Sequence, residues 1–288
     1  MNSTANGSWS CFTQLTSTAW KIGGTVTYCL FIIVSLAANS LIVTIVYKTP
    51  NLRKPINYFI ANMASSDLLF PIFWIPLKLS RLYTTSFLIG GQLGQAFCKL
   101  VPFFANVSIA VSIQNLILIA VDRFGAVVFP LRSPLIRSKL CPFFILSTWI
   151  VAVAFNSPHL FTFKLSEYRE RTFCFQEWKT AFGESSSFFS YRLAFYILFM
   201  YIPVLLLVIV YSIIVIKLKT QAHPGEQSPN TQQQRDRRNR NVLQMSLAIV
   251  TVFVLCWFPY SINFLILWYP DTFTHLSCSF WIYHAVTF

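Results

Sequence analysis

Acidic residues are scarce in this chain: nine Asp and Glu among 288 residues, against 22 Lys and Arg and four His. Charged residues of either sign make up only 11%, where a soluble domain carries about 25%. That poverty excludes a good deal. No two carboxylates are placed for acid–base hydrolysis, and no His, Cys, Asp and Glu share metal-ligand spacing. No Ser/His/Asp set falls on one side of the apolar runs, so the sequence does not read as an enzyme. Inverted repeats and rows of charge inside the apolar runs are also lacking, which weighs against a transporter or channel, the rival from another class. The first 20 residues have no basic segment followed by an apolar core, so a cleavable signal peptide is not expected.

What is present is apolar. Hydrophobic residues reach 55%, mean hydropathy is +0.58, and there are 29 phenylalanines. Runs of about 20 apolar residues predict membrane spans near 22–47, 56–79, 98–122, 141–163, 192–216 and 241–268, with a seventh beginning near 275. The expected fold is all-α: an integral membrane seven-helix bundle over 22–288, with the N-terminal tail 1–21 outside. From His275 the remaining residues give about 21 Å of helix against a core of about 30 Å. The seventh helix is therefore expected to be incomplete.

The basic balance is a topology signal. Thirteen Lys and Arg lie on the side of loops 48–55, 123–140 and 217–240. Nine lie on the other side, diluted by five carboxylates. The positive-inside rule places the first group in the cytoplasm. Nucleic-acid binding would need one basic surface, which these residues do not form. Asn2-Ser3-Thr4 and Asn6-Gly7-Ser8 are then extracellular glycosylation acceptors. Loop 217–240, with His223-Pro224-Gly225 and Ser228-Pro229-Asn230, reads as flexible.

Of seven cysteines, Cys11, Cys98, Cys174 and Cys278 fall outside, where disulfides persist. A Cys98–Cys174 bridge is the expected one, pinning the outer loop between the fourth and fifth spans over the bundle mouth. For Cys11 and Cys278 two readings stand, a bridge from tail to seventh span or two free thiols. Sequence alone does not fix connectivity.

Each span also holds residues that an apolar bundle would not choose freely. These are Asn39; Asp67, with Ser112 and Asn115 as partners; Asp122-Arg123-Phe124; Trp149; Pro203 and Tyr211; and Cys256-Trp257-Phe258-Pro259. A carboxylate such as Asp67 at membrane depth must face the bundle interior. In this order and spacing the set resembles rhodopsin-like (class A) G-protein-coupled receptors, from about residue 22 to 288. The resemblance implies a plasma-membrane receptor that changes shape on ligand binding. Asp122, Arg123, Phe124, Pro130 and Leu131 would couple to a heterotrimeric G protein. Trp257, Pro259, Phe253, Ile113, Pro203 and Tyr211 would form the activation switch. Asn39, Asp67, Ser112 and Asn115 would form a polar core. It further implies a sodium ion at Asp67; a neutral, hydrogen-bonded carboxylic acid is the alternative. No other cofactor is expected. Asn239 stands where some relatives carry an acid facing the signature arginine, so raised basal activity is expected.

Ala105 lies where amine receptors carry an aspartate, which argues against an amine ligand. Trp74, Phe103, Ala105, Asn106, Phe264 and Trp268 are the candidate pocket, aromatic and uncharged. Above it Lys78, Arg81, Lys99 and Arg192 mix with Glu167, Glu170, Glu177, Glu184 and Asp271. Such a mouth suits a peptide with polar ends and an apolar anchor. By resemblance, Pro76 and the long outer loop also point to peptide receptors. A truncated, non-signalling receptor fragment is the alternative within the same fold.

Overall fold

The computed structural model describes residues 18–52, 54–84, 86–129, 135–168 and 171–220, with Gln244, Ala248, Thr251, Val252 and Leu255. Asn2, Asn6, Cys11, Pro130, Leu131, Phe253, Trp257, Pro259, Phe264, Trp268 and Cys278 lie outside the described residues. Five described helices are long and apolar enough to cross a membrane: α1 Thr18–Lys48, α2 Pro55–Arg81, α3 Gly91–Val128, α4 Ser138–Thr162 and α5 Phe188–Lys217.

The helices outrun the apolar runs that reveal them. An apolar run marks the hydrocarbon slab, whereas backbone hydrogen bonding continues until a residue stops it. So α3 begins seven residues before Cys98 and runs on to Val128. Asp122-Arg123-Phe124 therefore does not close its helix, as the sequence suggested, but sits more than a turn inside its end. The fourth span starts earlier than its apolar run, at Ser138, and its outer end stops at Thr162 because the chain turns into a β-strand at Phe163.

Local signals set the ends. Pro55 and Pro142 occupy the first turns of their helical segments, where the missing N–H costs no hydrogen bond. The Ser187 hydroxyl accepts from the Ser190 amide at the start of α5. Inside α2 and α5 a single π-type turn interrupts the α-helix, at Phe70–Trp74 and Ile197–Tyr201. Each lies beside proline: Pro71 within the first and Pro76 just beyond it, Pro203 just beyond the second. Proline has no N–H to give and clashes with the carbonyl four residues back, so a widened turn relieves the ladder there.

α3 is the central post, in contact with α2, α4 and α5. Its outer half packs Phe103, Val107 and Ile113 among Ala152, Phe195 and Phe199, and its inner half packs Leu116 and Ala120 on Leu207, Tyr211 and Ile214. Only Val46 of α1 is buried. Its apolar face is that of a lipid-exposed helix, and the bundle holds by close packing and interhelical hydrogen bonds rather than by escape from water.

Over the outer end lies an antiparallel hairpin, β1 Phe163–Tyr168 with β2 Arg171–Gln176, in the register Leu165 opposite Cys174. It is tied down three times. Cys98 and Cys174 form a disulfide. Gln95 of α3 donates to the Phe163 carbonyl (3.2 Å) and accepts from the Leu165 amide (2.8 Å). The Phe87 amide donates to the Thr172 carbonyl at 2.7 Å, and the Thr172 hydroxyl donates back to the Phe87 carbonyl. Gly94 is required beneath it: a Cβ there would strike the Ile89 carbonyl group.

Candidate functional site: an outer pocket above a polar seam

At the inner side, Arg123 donates through both Nε and Nη2 to Asp122 Oδ2 of the same helix. Both side chains are largely withdrawn from solvent, and the ion pair is what makes that placement tolerable. Phe124 packs partly against the cluster that holds Tyr211.

One level outward is a hydrogen-bonded seam across α2, α3 and α4. Trp149 Nε1 donates to Asn62 Oδ1 at 2.8 Å. Asn62 Nδ2 in turn donates to Asn115 Oδ1 at 3.0 Å and to the Thr148 hydroxyl at 3.3 Å. Gln114 Nε2 reaches the Thr148 carbonyl. A buried indole N–H needs an acceptor, and that need was the sequence signal for Asn62, which the sequence reading missed.

The carboxylate of Asp67 accepts from the Ser112 hydroxyl, as expected, and Ser66 lies 3.0 Å from that hydroxyl. Asn115 does not join them. Its carbonyl belongs to Asn62, and its amide donates to its own helix at Val111. The expectation that Asn115 would partner Asp67 is thus corrected: it meets Asn62, more than a turn further inward on the same helix α2. Asn39 donates back to Ser35 within α1. The oxygens gathered at Asp67 are its carboxylate and the Ser66 and Ser112 hydroxyls, few for a hard cation that favours about six oxygens.

The outer half is where the sequence reading needs most correction. Arg192, placed at the mouth, is buried at 7% exposure. Its Nη1 donates to Asn106 Oδ1 (3.3 Å) and its Nη2 to the Tyr196 hydroxyl (3.0 Å), with its guanidinium over the Phe195 and Tyr196 rings. Together with Ile109, Ile113, Phe199 and Met200 these residues line a cavity of only about 10 Å³. Lys78 is likewise buried, its Nζ 5.0 Å above the Trp74 ring. The pocket is therefore aromatic but not uncharged. Phe103 and Ala105 are buried in helix packing, and Phe104 stacks on Phe73 at 4.7 Å.

A stair of rings joins the outer loop to this core. Trp178 stacks on Tyr191 (4.8 Å), Tyr191 on Phe155 (5.6 Å), and Phe155 meets Phe199 edge-on (5.1 Å). The Tyr191 hydroxyl donates to the Phe155 carbonyl. On the surface Lys164 Nζ donates to Glu177 Oε2 at 2.7 Å, and this hydrogen bond holds the Glu177 carboxyl below its ordinary pKa.

A central helix ringed by apolar helices, a pinned extracellular hairpin and an inner Asp-Arg pair define a multi-pass membrane bundle of receptor type. Residues 38–288 match the 7 transmembrane receptor (rhodopsin family) profile. This chain belongs to that family. Its fold is the family's seven-helix bundle, and it is a multi-pass protein of the plasma membrane.

Among curated relatives, the RYamide receptor of Drosophila melanogaster is 31% identical over 252 residues, 84% of this chain and 53% of that protein. The QRFP-like peptide receptor of Branchiostoma floridae is 32% identical over 246 residues, 82% of this chain and 63% of that protein. The human neuromedin-K receptor is 27% identical over 254 residues, 88% of this chain and 53% of that protein. The chain thus spans between about half and under two thirds of the length of these relatives.

Proposed function

We propose that this chain forms the membrane body of a receptor that binds an extracellular peptide and activates a heterotrimeric G protein. The observation that carries the reading is the pinned hairpin over the aromatic outer half of the bundle, in a chain whose relatives are named as receptors for RYamide, for QRFP-like peptides and for neuromedin-K. The hairpin holds the mouth open in one shape, which lowers the ordering cost of receiving a flexible ligand. Ala105 offers no counter-ion to an amine.

In this mechanism ligand contacts bias one of two bundle arrangements. The stair from Trp178 through Tyr191 and Phe155 to Phe199 carries the change inward, and the proline-marked turns of α2 and α5 are the compliant points. The sixth span, with Phe253, Trp257 and Pro259, swings outward, and Arg123 leaves Asp122 to meet the G protein. Pro130 and Leu131 add to that surface. A sodium ion at Asp67 would draw on Asp67, Ser66 and Ser112, since Asn115 is engaged with Asn62, and no step is routed through it.

The test is a library of synthetic peptides applied to cells expressing the chain, with dissociation of G-protein subunits as readout. The expected result is a response to a related set of peptides. Arg123→Ala abolishes that response and leaves surface binding intact. A response to amines or lipids, with none to peptides, would sink the proposal.

A further inference from the structure

α3 carries a buried glycine near each end. Gly94 lies beneath the outer hairpin. Gly125 lies beneath Leu135, where a Cβ would stand 2.7 Å from both Cγ and Cδ1 of the leucine. No methyl group fits in that space, so the leucine rests directly on the backbone of α3. Glycine weakens a helix interior relative to alanine, and this seat is what it admits here.

Leu135 opens the segment 135–137 that leads into α4. It is half-exposed, with its branched end turned onto Gly125. Its neighbour Ile136 is buried in a cluster with Phe59 of α2, Ile119 of α3 and Cys141 of α4. The Cys141 thiol faces the Arg137 carbonyl at 3.8 Å. On the surface of α3, Asp122 lies between Ile119 and Gly125, three residues from each. The segment therefore crosses α3 at the level of Asp122, whose side chain is only 9% exposed. A carboxylate kept from water holds its cation more strongly than an exposed one.

We infer that Leu135 is a positioning residue for the Asp122–Arg123 pair. Seated on Gly125, it holds segment 135–137 across the pair, keeps water from it and so retains Arg123 in its partnership with Asp122. The consequence for signalling rests on the G-protein reading: a chain whose seat is filled releases Arg123 more readily and couples more without ligand.

The test uses the full chain purified in lipid nanodiscs, with neither ligand nor G protein. Mass spectrometry follows the rate at which phenylglyoxal modifies Arg123. Asp122→Asn, which frees Arg123 outright, sets the upper limit. Gly125→Ala is expected to raise the rate about tenfold. Leu135→Ala added to it should bring the rate at least halfway back, because alanine can lie on alanine where leucine cannot. A parental rate in Gly125→Ala, or a rise that the second substitution does not reduce, overturns the inference. Arg192, buried in the outer half, is the internal reference. A parallel rise at Arg192 means that the whole bundle has loosened, and the seat is then not what holds the pair.

Should Gly125→Ala fail to fold, Leu135→Ala alone decides. Its site is half-exposed, where substitutions are well tolerated, and it should raise the Arg123 rate about threefold; no rise sinks the inference. Nucleotide exchange by a purified G-protein heterotrimer is measured last, and Gly125→Ala should exceed the parent about threefold. Exchange that stays at the parental level while Arg123 is released overturns the signalling consequence. No exchange from any form removes support from the G-protein reading, and the Arg123 rates still decide the role of Leu135.

Discussion

The inner and outer halves of the bundle treat buried polar atoms in opposite ways. In the inner half Trp149, Asn62, Asn115 and Thr148 join one another across three helices, and Asp67, Ser112 and Ser66 form a second hydrogen-bonded group beside them. In the outer half four buried side-chain atoms have no partner among the described residues: Lys78 Nζ, Asn156 Oδ1, His159 Nδ1 and Trp178 Nε1. An unmet buried polar group is costly, whereas a satisfied network rigidifies and fixes geometry. The difference teaches that this molecule is braced below and left chemically incomplete above, on the side where the proposed peptide would arrive.

The largest effect should come from cutting the brace on the mouth itself. Cys98→Ser with Cys174→Ser is expected to cost roughly 3 kcal/mol, seen as a fall in Tm of the purified protein. The same variant should expose the hairpin to protease in intact cells. If Tm holds and the hairpin stays protected, the Gln95 and Thr172 ties suffice alone.

Next in size is a paired test of the comparison. Asn62→Leu strands the Trp149 indole and the Asn115 carbonyl, and roughly 2 kcal/mol should be lost. Trp178→Phe removes an unpartnered N–H but keeps the ring stack on Tyr191, and Tm should stay within about 0.5 kcal/mol equivalent of the parent. Equal losses from both substitutions would erase the contrast between the two halves.

The smallest effect is at the surface. Glu177 has its carboxyl pKa lowered by the hydrogen bond from Lys164. A lowered folded-state pKa contributes stability that is present above the ordinary carboxylate value of about 4.3 and is lost as pH falls through the lowered one. Comparison of Tm for the parent and Glu177→Gln from pH 7 down to 3.5 should show a slight parental advantage that closes at the acid end. An advantage that widens toward acid would contradict the assignment.

Much of the architecture is legible in the residues. Apolar runs located five of the described helices, the Cys98–Cys174 bridge formed as expected, and the Asp-Arg-Phe triplet is found as an internal ion pair. What the sequence did not disclose is which way each helix faces. In a soluble helix an apolar stripe marks the core. Here lipid and interior are both apolar, so α3 and α5 show no stripe that would tell Asn115 to meet Asn62 rather than Asp67. Arg192 and Lys78 were set on the rim because charge is expensive in a bilayer. Both lie inside because aromatic faces and, for Arg192, neutral acceptors receive them.

The widened turn at Phe70–Trp74 has a further consequence. Such a turn takes one residue more than an α-helical turn, so every side chain beyond it is rotated by about 100° from where an unbroken helix would point it. Lys78 and Arg81 owe their heading to that offset. Loss of a single residue from the stretch would swing the outer third of the helix like a dial, carrying Arg81 out of the cavity it lines and Lys78 off the Trp74 ring while the inner two thirds kept its place. In a bundle of this kind, then, the count of residues in a turn governs what the mouth can recognise as firmly as their identity does.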